Sequence, residues 1–423
     1  MAGIDRRSVL AGGLALPAVA ATARATVPAD RDGEAFWRSI AAEYGPPEGI
    51  VQLENGNWGM MPRPVLQAYQ GTVARVNRDT SYYARRGMTR DLIAVRDQVA
   101  AAMGVKPQEL AFTRNATEAL ETLILGYNRL RPGDAVLYAD LDYDSMQHCM
   151  ESLRGRRGVE IVRLALPEAA THETLVAAYA EAMAANPRLR LILLTHLSHR
   201  TGLVLPVREI AALARAKGID VIVDAAHSWC QLDFSLADLD CDFIGVNGHK
   251  WLGAPLGVGF LHIREGALDR IDRHPANPAT GRDDISARVH LGTYDFAASL
   301  TVPAALAFQQ AIGSERRADR LRGLRNHWVA GARRVAGIEV LTPDDSRSHG
   351  GITSFRVKGV IDVAANMRIA KHLIERHRIF TVHRDGIASG ACVRVTPALF
   401  TRPEDVDRLA RALPDIVSVM QRG

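Results

Sequence analysis

Val221-Ile222-Val223-Asp224-Ala225-Ala226-His227 and Asn247-Gly248-His249-Lys250-Trp251-Leu252-Gly253 are the two stretches on which the reading of this chain turns. Each closes a short apolar run, Asp220–Val223 and Phe243–Val246, of the length and composition of a buried strand. An aspartate at the end of such a strand is costly unless a positive group meets it, or unless it caps a helix. A lysine just past a buried strand, followed by Gly253, Gly257 and Gly259, is poorly placed as a surface charge. Partial burial lowers an amine's pKa and suits it to attack a carbonyl carbon. The interval from Asp224 to Lys250 leaves room for one connection and one strand, so both side chains can reach a single site.

Outward from these stretches, helical patterns alternate with short apolar strands. Strands are predicted at Leu110–Thr113, Ala135–Ala139, Glu160–Leu164, Leu189–Thr195 and Val258–Ile263. Helices are predicted at Ala116–Tyr127, Thr171–Ala185 and Val207–Lys217. This alternation implies an α/β fold with a mostly parallel, doubly wound sheet, whose ligands collect at the carboxyl ends of the strands. After Leu110–Thr113 comes Arg114-Asn115-Ala116-Thr117, a polar turn opening a helix. Free N–H groups and a hydroxyl there suit a phosphate, although a plain N-cap gives the same pattern. From about Leu300 the texture changes to a smaller α+β domain. It has a long helical stretch from Pro303 to about Val335, strands at Ser354–Val357, Ile379–Val382 and Val393–Val395, and a last helix over Pro403–Leu413. The expected division is a signal segment over 1–25, an N-terminal segment over 26–61, a large domain over 62–300 and a small domain over 301–423. Gln52–Met61, rich in Gly and Asn, reads as irregular backbone near a cleft.

The first 25 residues place Arg6-Arg7 ahead of an apolar stretch, then offer Ala23-Arg24-Ala25 as a cleavage site. The apolar stretch is too short to span a bilayer, so it predicts a twin-arginine-type signal peptide and a periplasmic or secreted protein, not a membrane anchor. The formal charge is +5, of which this segment holds a net +2. No basic block with interleaved aromatics is present, which argues against a nucleic-acid partner. Cys149, Cys230, Cys241 and Cys392 match no zinc spacing. No metal site is expected.

The ordered set of phosphate turn, Asp-x-x-His and His-Lys resembles the class V aminotransferase family of fold-type I pyridoxal 5'-phosphate (PLP) enzymes. The resemblance covers nearly all of the chain after the signal. It implies that Lys250 holds PLP as a Schiff base and that Asp224 pairs with the pyridine nitrogen. It places His227 near the ring and its phenolic oxygen, and Ala116, Thr117, Asn247 and His249 around the phosphate. Tyr143 falls at the position whose aromatic ring stacks on the pyridine. Desulfurases carry His there, so Tyr points to the epimerase-like branch. His199, in a loop ending Arg200-Thr201-Gly202 as in kynureninase, is expected to touch cofactor or substrate. Thr293 is expected to reach the cofactor phosphate of a partner subunit, which implies a homodimer with shared sites. Arg394 is expected to grip a substrate carboxylate, with Asn55, Trp58 and Gly59 lining the entrance.

The implied activity is aminotransferase-like chemistry on a carboxylate-bearing amino substrate, a small molecule or modified peptide, through an external aldimine. Lys250 serves as base, with Tyr143 or His199 assisting. An isopenicillin N epimerase-like epimerase and a C–S or C–C lyase are the alternatives, and a non-catalytic PLP-binding scaffold is the alternative of another class. Desulfurase activity is disfavoured, because Cys392 lies two residues before Arg394 in a predicted strand, where a mobile nucleophile is out of place.

Overall fold

The computed structural model describes residues 33–168, 170–277 and 282–422; the predicted signal segment lies outside them. A first helix α1 (Glu34–Ala41) and a two-residue strand β1 (Val51–Gln52) lead into helices α2 (Arg63–Arg86) and α3 (Met88–Met103). A seven-stranded sheet follows, built from β2 (Leu110–Thr113), β3 (Ala135–Ala139), β4 (Glu160–Leu164), β5 (Leu189–Thr195), β6 (Asp220–Asp224), β7 (Phe243–Asn247) and β8 (Gly259–Ile263). Helices α4 (Ala116–Gly126), α5 (Asp144–Arg157), α6 (His172–Ala185) and α7 (Val207–Ala216) connect the strands. The spatial order is β2-β8-β7-β6-β5-β3-β4, and β8 alone runs antiparallel to its neighbours.

Both faces of the sheet's interior strands are covered, which is why β3, β6 and β7 read as continuous apolar runs, while the edge strand β4 is partly exposed. Alternate residues divide between two cores. Ile192, Leu194, Val221, Val223, Ile244 and Val246 pack on one side with α3, α6, α7 and a later helix. Leu191, Leu193, Ile222 and Phe243 pack on the other with α4 and α5. Gly259 lies where a Cβ would come within 2.5 Å of the Asn115 backbone, so β8 can pass this close to the turn before α4 only as glycine.

The predicted long helix is two helices, α8 (Phe296–Ile312) and α9 (Ser314–Ala332), bent by 75°. Gly313, at φ +97°, makes the break. Helical periodicity continues on both sides of that glycine, which hides the bend from a sequence reading. Beyond α9, strands β9 (Ile338–Val340) and β10 (Thr353–Val357), helix α10 (Val363–His377) and strands β11 (Ile379–Phe380), β12 (Val382–Arg384) and β13 (Cys392–Val395) precede helix α11 (Pro403–Arg422). The four-stranded antiparallel sheet runs β12-β13-β10-β9. Helix α11 continues past Leu413 and through Pro414, because Val406, Leu409, Leu413, Ile416 and Val417 bury one continuous face. The segment before Pro62 joins this C-terminal region: Val51 and Gln52 pair with β11, and Glu54 bridges to Thr396. Among the described residues no single helix is long and apolar enough to cross a membrane.

Candidate active site

The turns that follow β2, β3, β5, β6 and β7 converge at the carboxyl end of the sheet, around a cavity of about 340 Å³. Its lining includes Ala116, Thr117, Tyr143, His199, Asp224, His227, Asn247, His249, Lys250 and Arg394. Ten side chains predicted from the sequence thus share one enclosure. Asn55, Trp58, Gly59 and Thr293 stand outside its lining.

Lys250 is half-buried in the lining of the cavity, and desolvation lowers its amine to about 8. Its Nζ lies 2.8 Å from His227 Nε2, while the Trp251 indole N–H donates to His227 Nδ1 at 3.3 Å. Because burial and the neighbouring cations hold His227 far below its usual pKa, the ring is neutral. With Nδ1 accepting, the ring proton sits on Nε2 and donates to the lone pair of Lys250. The arrangement therefore favours the nucleophilic, uncharged amine more than solvent would at the same pH.

Asp224 closes β6 and is buried; Oδ1 accepts the Ala226 N–H at 2.8 Å, and burial raises its pKa. It is a carboxylate at a strand end with one neutral donor, suited to a cationic ring nitrogen. At the helix end of the cavity, Asn247 Oδ1 accepts the Ala116 N–H at 2.8 Å and the Asn115 side chain accepts the Glu118 N–H at 2.8 Å. Ala116, expected around the phosphate, lines the cavity with its own N–H already engaged by Asn247. The groups left to an anion are the Thr117 N–H and hydroxyl and the Asn247 amide. The His249 Nδ1–H donates to the Val258 carbonyl at 3.1 Å, which leaves Nε2 for a ligand.

Opposite these groups stands a row of rings. Tyr143 meets His199 edge-on at 5.4 Å between centroids, and His199 stacks on His227 at 6.3 Å. Burial and four nearby cations, Arg200 first, keep His199 neutral.

The remaining wall belongs to the small domain. Arg394 is fully buried and does not present a free guanidinium. Its Nη2 donates to both carboxylate oxygens of Glu54, at 2.6 and 2.8 Å, and Nη1 donates to the His199 carbonyl at 2.8 Å. Arg384 lies beside them in the same wall, its Nη2 3.8 Å from Glu54. Neither Glu54 nor Arg384 was singled out from the sequence. The signal for Glu54 was a charged residue closing the run Val51-Gln52-Leu53, and that for Arg384 was its position ahead of Asp385-Gly386. Asn55 is a structural clasp: its amide donates to the Thr396 carbonyl at 2.7 Å and the Gln52 carbonyl at 3.3 Å, and Gly56 and Asn57 line the cavity in its place. Gly59 packs its backbone on the Lys250 carbonyl, Trp58 is exposed, and Thr293 lies exposed away from this cavity. All four cysteines are free and none lines the cavity; burial pushes the Cys392 thiol up to about 11.

An amine of pKa about 8 has a distinct reactivity profile. The rate at which a pyridine carbaldehyde combines with Lys250, followed by absorbance against a Lys250→Ala blank, should rise about tenfold from pH 7 to pH 9 and then level. An ordinary lysine would give a rise of about a hundredfold without levelling.

The family model for aminotransferase class-V matches residues 59–409. Isopenicillin N epimerase of Streptomyces clavuligerus is 32% identical over 384 residues, covering 86% of this chain and 94% of the relative. A probable cysteine desulfurase of Synechocystis is 26% identical over 390 residues, covering 86% and 90%. Among solved structures, a cystine C–S lyase in complex with cysteine persulfide superimposes with a TM-score of 0.77 at 24% identity, over 87% of this chain and 98% of that one. PLP, the cofactor of this family, fits the residues present: Asp224 for the ring nitrogen, Lys250 for the aldehyde carbon, and Thr117 with Asn247 and His249 for the phosphate. With the sheet, the half-buried lysine and the family match all in agreement, the chain belongs to the aminotransferase class-V family of PLP-dependent enzymes.

Proposed function

We propose that the protein removes the proton from the α-carbon of an amino acid, or of a peptide bearing a free amino acid end, with one group and delivers a different, solvent-derived proton to the opposite face with another. The observation that carries this reading is the 2.8 Å hydrogen bond between His227 Nε2 and Nζ of Lys250, an amine lowered to about 8 in the lining of the cavity. When bound, PLP supplies an electron sink that makes the α-proton of the substrate acidic. Lys250 then serves as the base, and His227 holds it ready. Asp224 balances positive charge on the far side of the site. Tyr143, at the other end of the ring row and open to the cavity mouth, is the second acid.

The likeness to isopenicillin N epimerase over most of both chains supports inversion. Transamination, the first expectation, has no specific support among these relatives, whose names are those of epimerases, desulfurases and desulfhydrases. Desulfuration through a cysteine nucleophile is disfavoured by the burial of Cys392 and the absence of any cysteine from the cavity lining.

Incubation of the PLP-loaded protein with single enantiomers of an amino-acid panel in D2O tests this reading. The expected result is α-deuterium in both enantiomers of the product without added keto acid. Lys250→Ala should abolish exchange, and Tyr143→Phe should retain exchange while slowing inversion by about a hundredfold, the low end of what a positioned acid contributes. Turnover that requires pyruvate or 2-oxoglutarate would establish transamination in its place, and release of ammonia or sulfide a lyase.

The reading extends to a homodimer, in which the exposed Thr293 serves the partner's site, and to twin-arginine export of the folded protein. In cells expressing the full-length chain, export predicts a shortened protein in the periplasmic fraction and a full-length cytosolic one when Arg6 and Arg7 are both replaced by Lys. A full-length, cytosolic wild type would contradict it.

A further inference from the structure

We propose that His372, His377 and Asp415 bind one divalent transition-metal ion of the zinc type between α10 and α11. Among the described residues this is the one group of three histidine, cysteine or acidic side chains whose ligand atoms all lie within 4.8 Å of one another. His372 Nε2 and His377 Nε2 stand 2.8 and 2.9 Å from the same oxygen, Asp415 Oδ2. The two rings lie 5.7 Å apart, tilted by 53°. Among the described residues Asp415 pairs with no lysine or arginine, so no fixed cation competes for its carboxylate. The expectation of no metal site was drawn from cysteine spacing, and these ligands are two imidazoles and a carboxylate.

The three side chains stem from backbone that packing holds in place. Leu373 beside His372, and Leu413 and Ile416 around Asp415, are buried in the core of the small domain. His377 is the last residue of α10; Arg378 then turns the chain at φ +58°, and its carbonyl accepts the Val51 N–H at 2.8 Å. Residues five apart point about 140° away from each other on a regular helix, so no helical spacing announces the pair. Zinc takes imidazole nitrogen and carboxylate oxygen at about 2.0–2.2 Å, in a tetrahedron whose ligand atoms stand roughly 3.4 Å apart. Opening the two nitrogen–oxygen contacts by about half an ångström and drawing the imidazoles together makes that room. The half-buried imidazoles and the partly exposed carboxylate leave access for the ion and for the water that completes its ligands. Binding uses the Nε2 lone pairs, so each ring proton moves to Nδ1, which has no protein hydrogen bond among the described residues. Two imidazoles select such an ion over Mg2+, which prefers oxygen ligands.

Calorimetric titration of the PLP-loaded protein, purified without a histidine tag and freed of unbound metal and PLP, tests this with ZnCl2 and MgCl2. Wild type should take up one Zn2+ per chain with a Kd below about 100 µM and show no saturable Mg2+ binding in that range. His377→Gln and Asp415→Asn should each weaken Zn2+ by at least about tenfold, the loss of one ligand. Zinc should also raise the melting temperature of wild type more than that of either variant. Zinc affinity unchanged in either folded variant would place the ion elsewhere. No zinc binding in wild type would leave the trio as hydrogen bonds alone, and Mg2+ binding as tightly as Zn2+ would leave the imidazoles without a part. Each of these results overturns the proposal. Should one variant fail to fold, the other decides.

Discussion

Desolvation just beyond β7 makes a charged lysine costly, and the structure meets Lys250, lowered to about 8, with a neutral imidazole at 2.8 Å. The Trp251 N–H fixes the tautomer of His227, and His227 fixes the lone pair of Lys250. Trp251 follows the lysine in sequence, whereas His227 arrives from the turn after β6. The pairing thus depends on β6 and β7 lying side by side, with Asp224 opposite Gly245 in register. The packed sheet converts two short sequence segments into one nucleophile with a defined protonation state.

The cavity needs both parts of the chain. The sheet supplies its floor, and residues 56–57 with the β12–β13 region supply a wall. Buried arginines hold that wall in place. Arg200 reaches the exposed Asp144 on the sheet side and the Asp385 carbonyl on the other, while Ser354 in β10 donates to the Arg200 carbonyl at 2.6 Å. Glu54 and Arg394 form an ion pair buried on both sides. Removing one member of a buried pair typically costs about 3–5 kcal/mol, because the survivor is left uncompensated. These contacts fix the position of the small domain relative to Lys250, and with it the distance from the reacting carbon to whatever binds the carboxylate.

The legible features were those encoded over a few adjacent residues. Strands β2, β3 and β5 were readable to the residue because burial leaves mostly apolar runs ending in polar turns, and the edge strand β4 (EIVRL) was readable from its short β-branched core between helical patterns. Asp224 and Lys250 were readable because each is a charge at the end of such a run. What escaped reading depends on distant partners. Glu54 lies 340 residues from Arg394, and no local pattern announces that the two will meet. Asn55 looked like a ligand because Gly and Asn cluster around it, yet its amide is consumed by Thr396 across a similar interval. The break at Gly313 and the passage of α11 through Pro414 are settled by packing against the rest of the protein, which overrides local propensity.

The central claim is that one amine, that of Lys250, carries the cofactor. Borohydride treatment of PLP-saturated protein, followed by proteolysis and mass mapping, measures this directly. A pyridoxyl adduct on the peptide containing Lys250, absent from the Lys250→Ala protein, is the result expected. A stoichiometric adduct on any other lysine, or none at all despite saturation, would contradict the account.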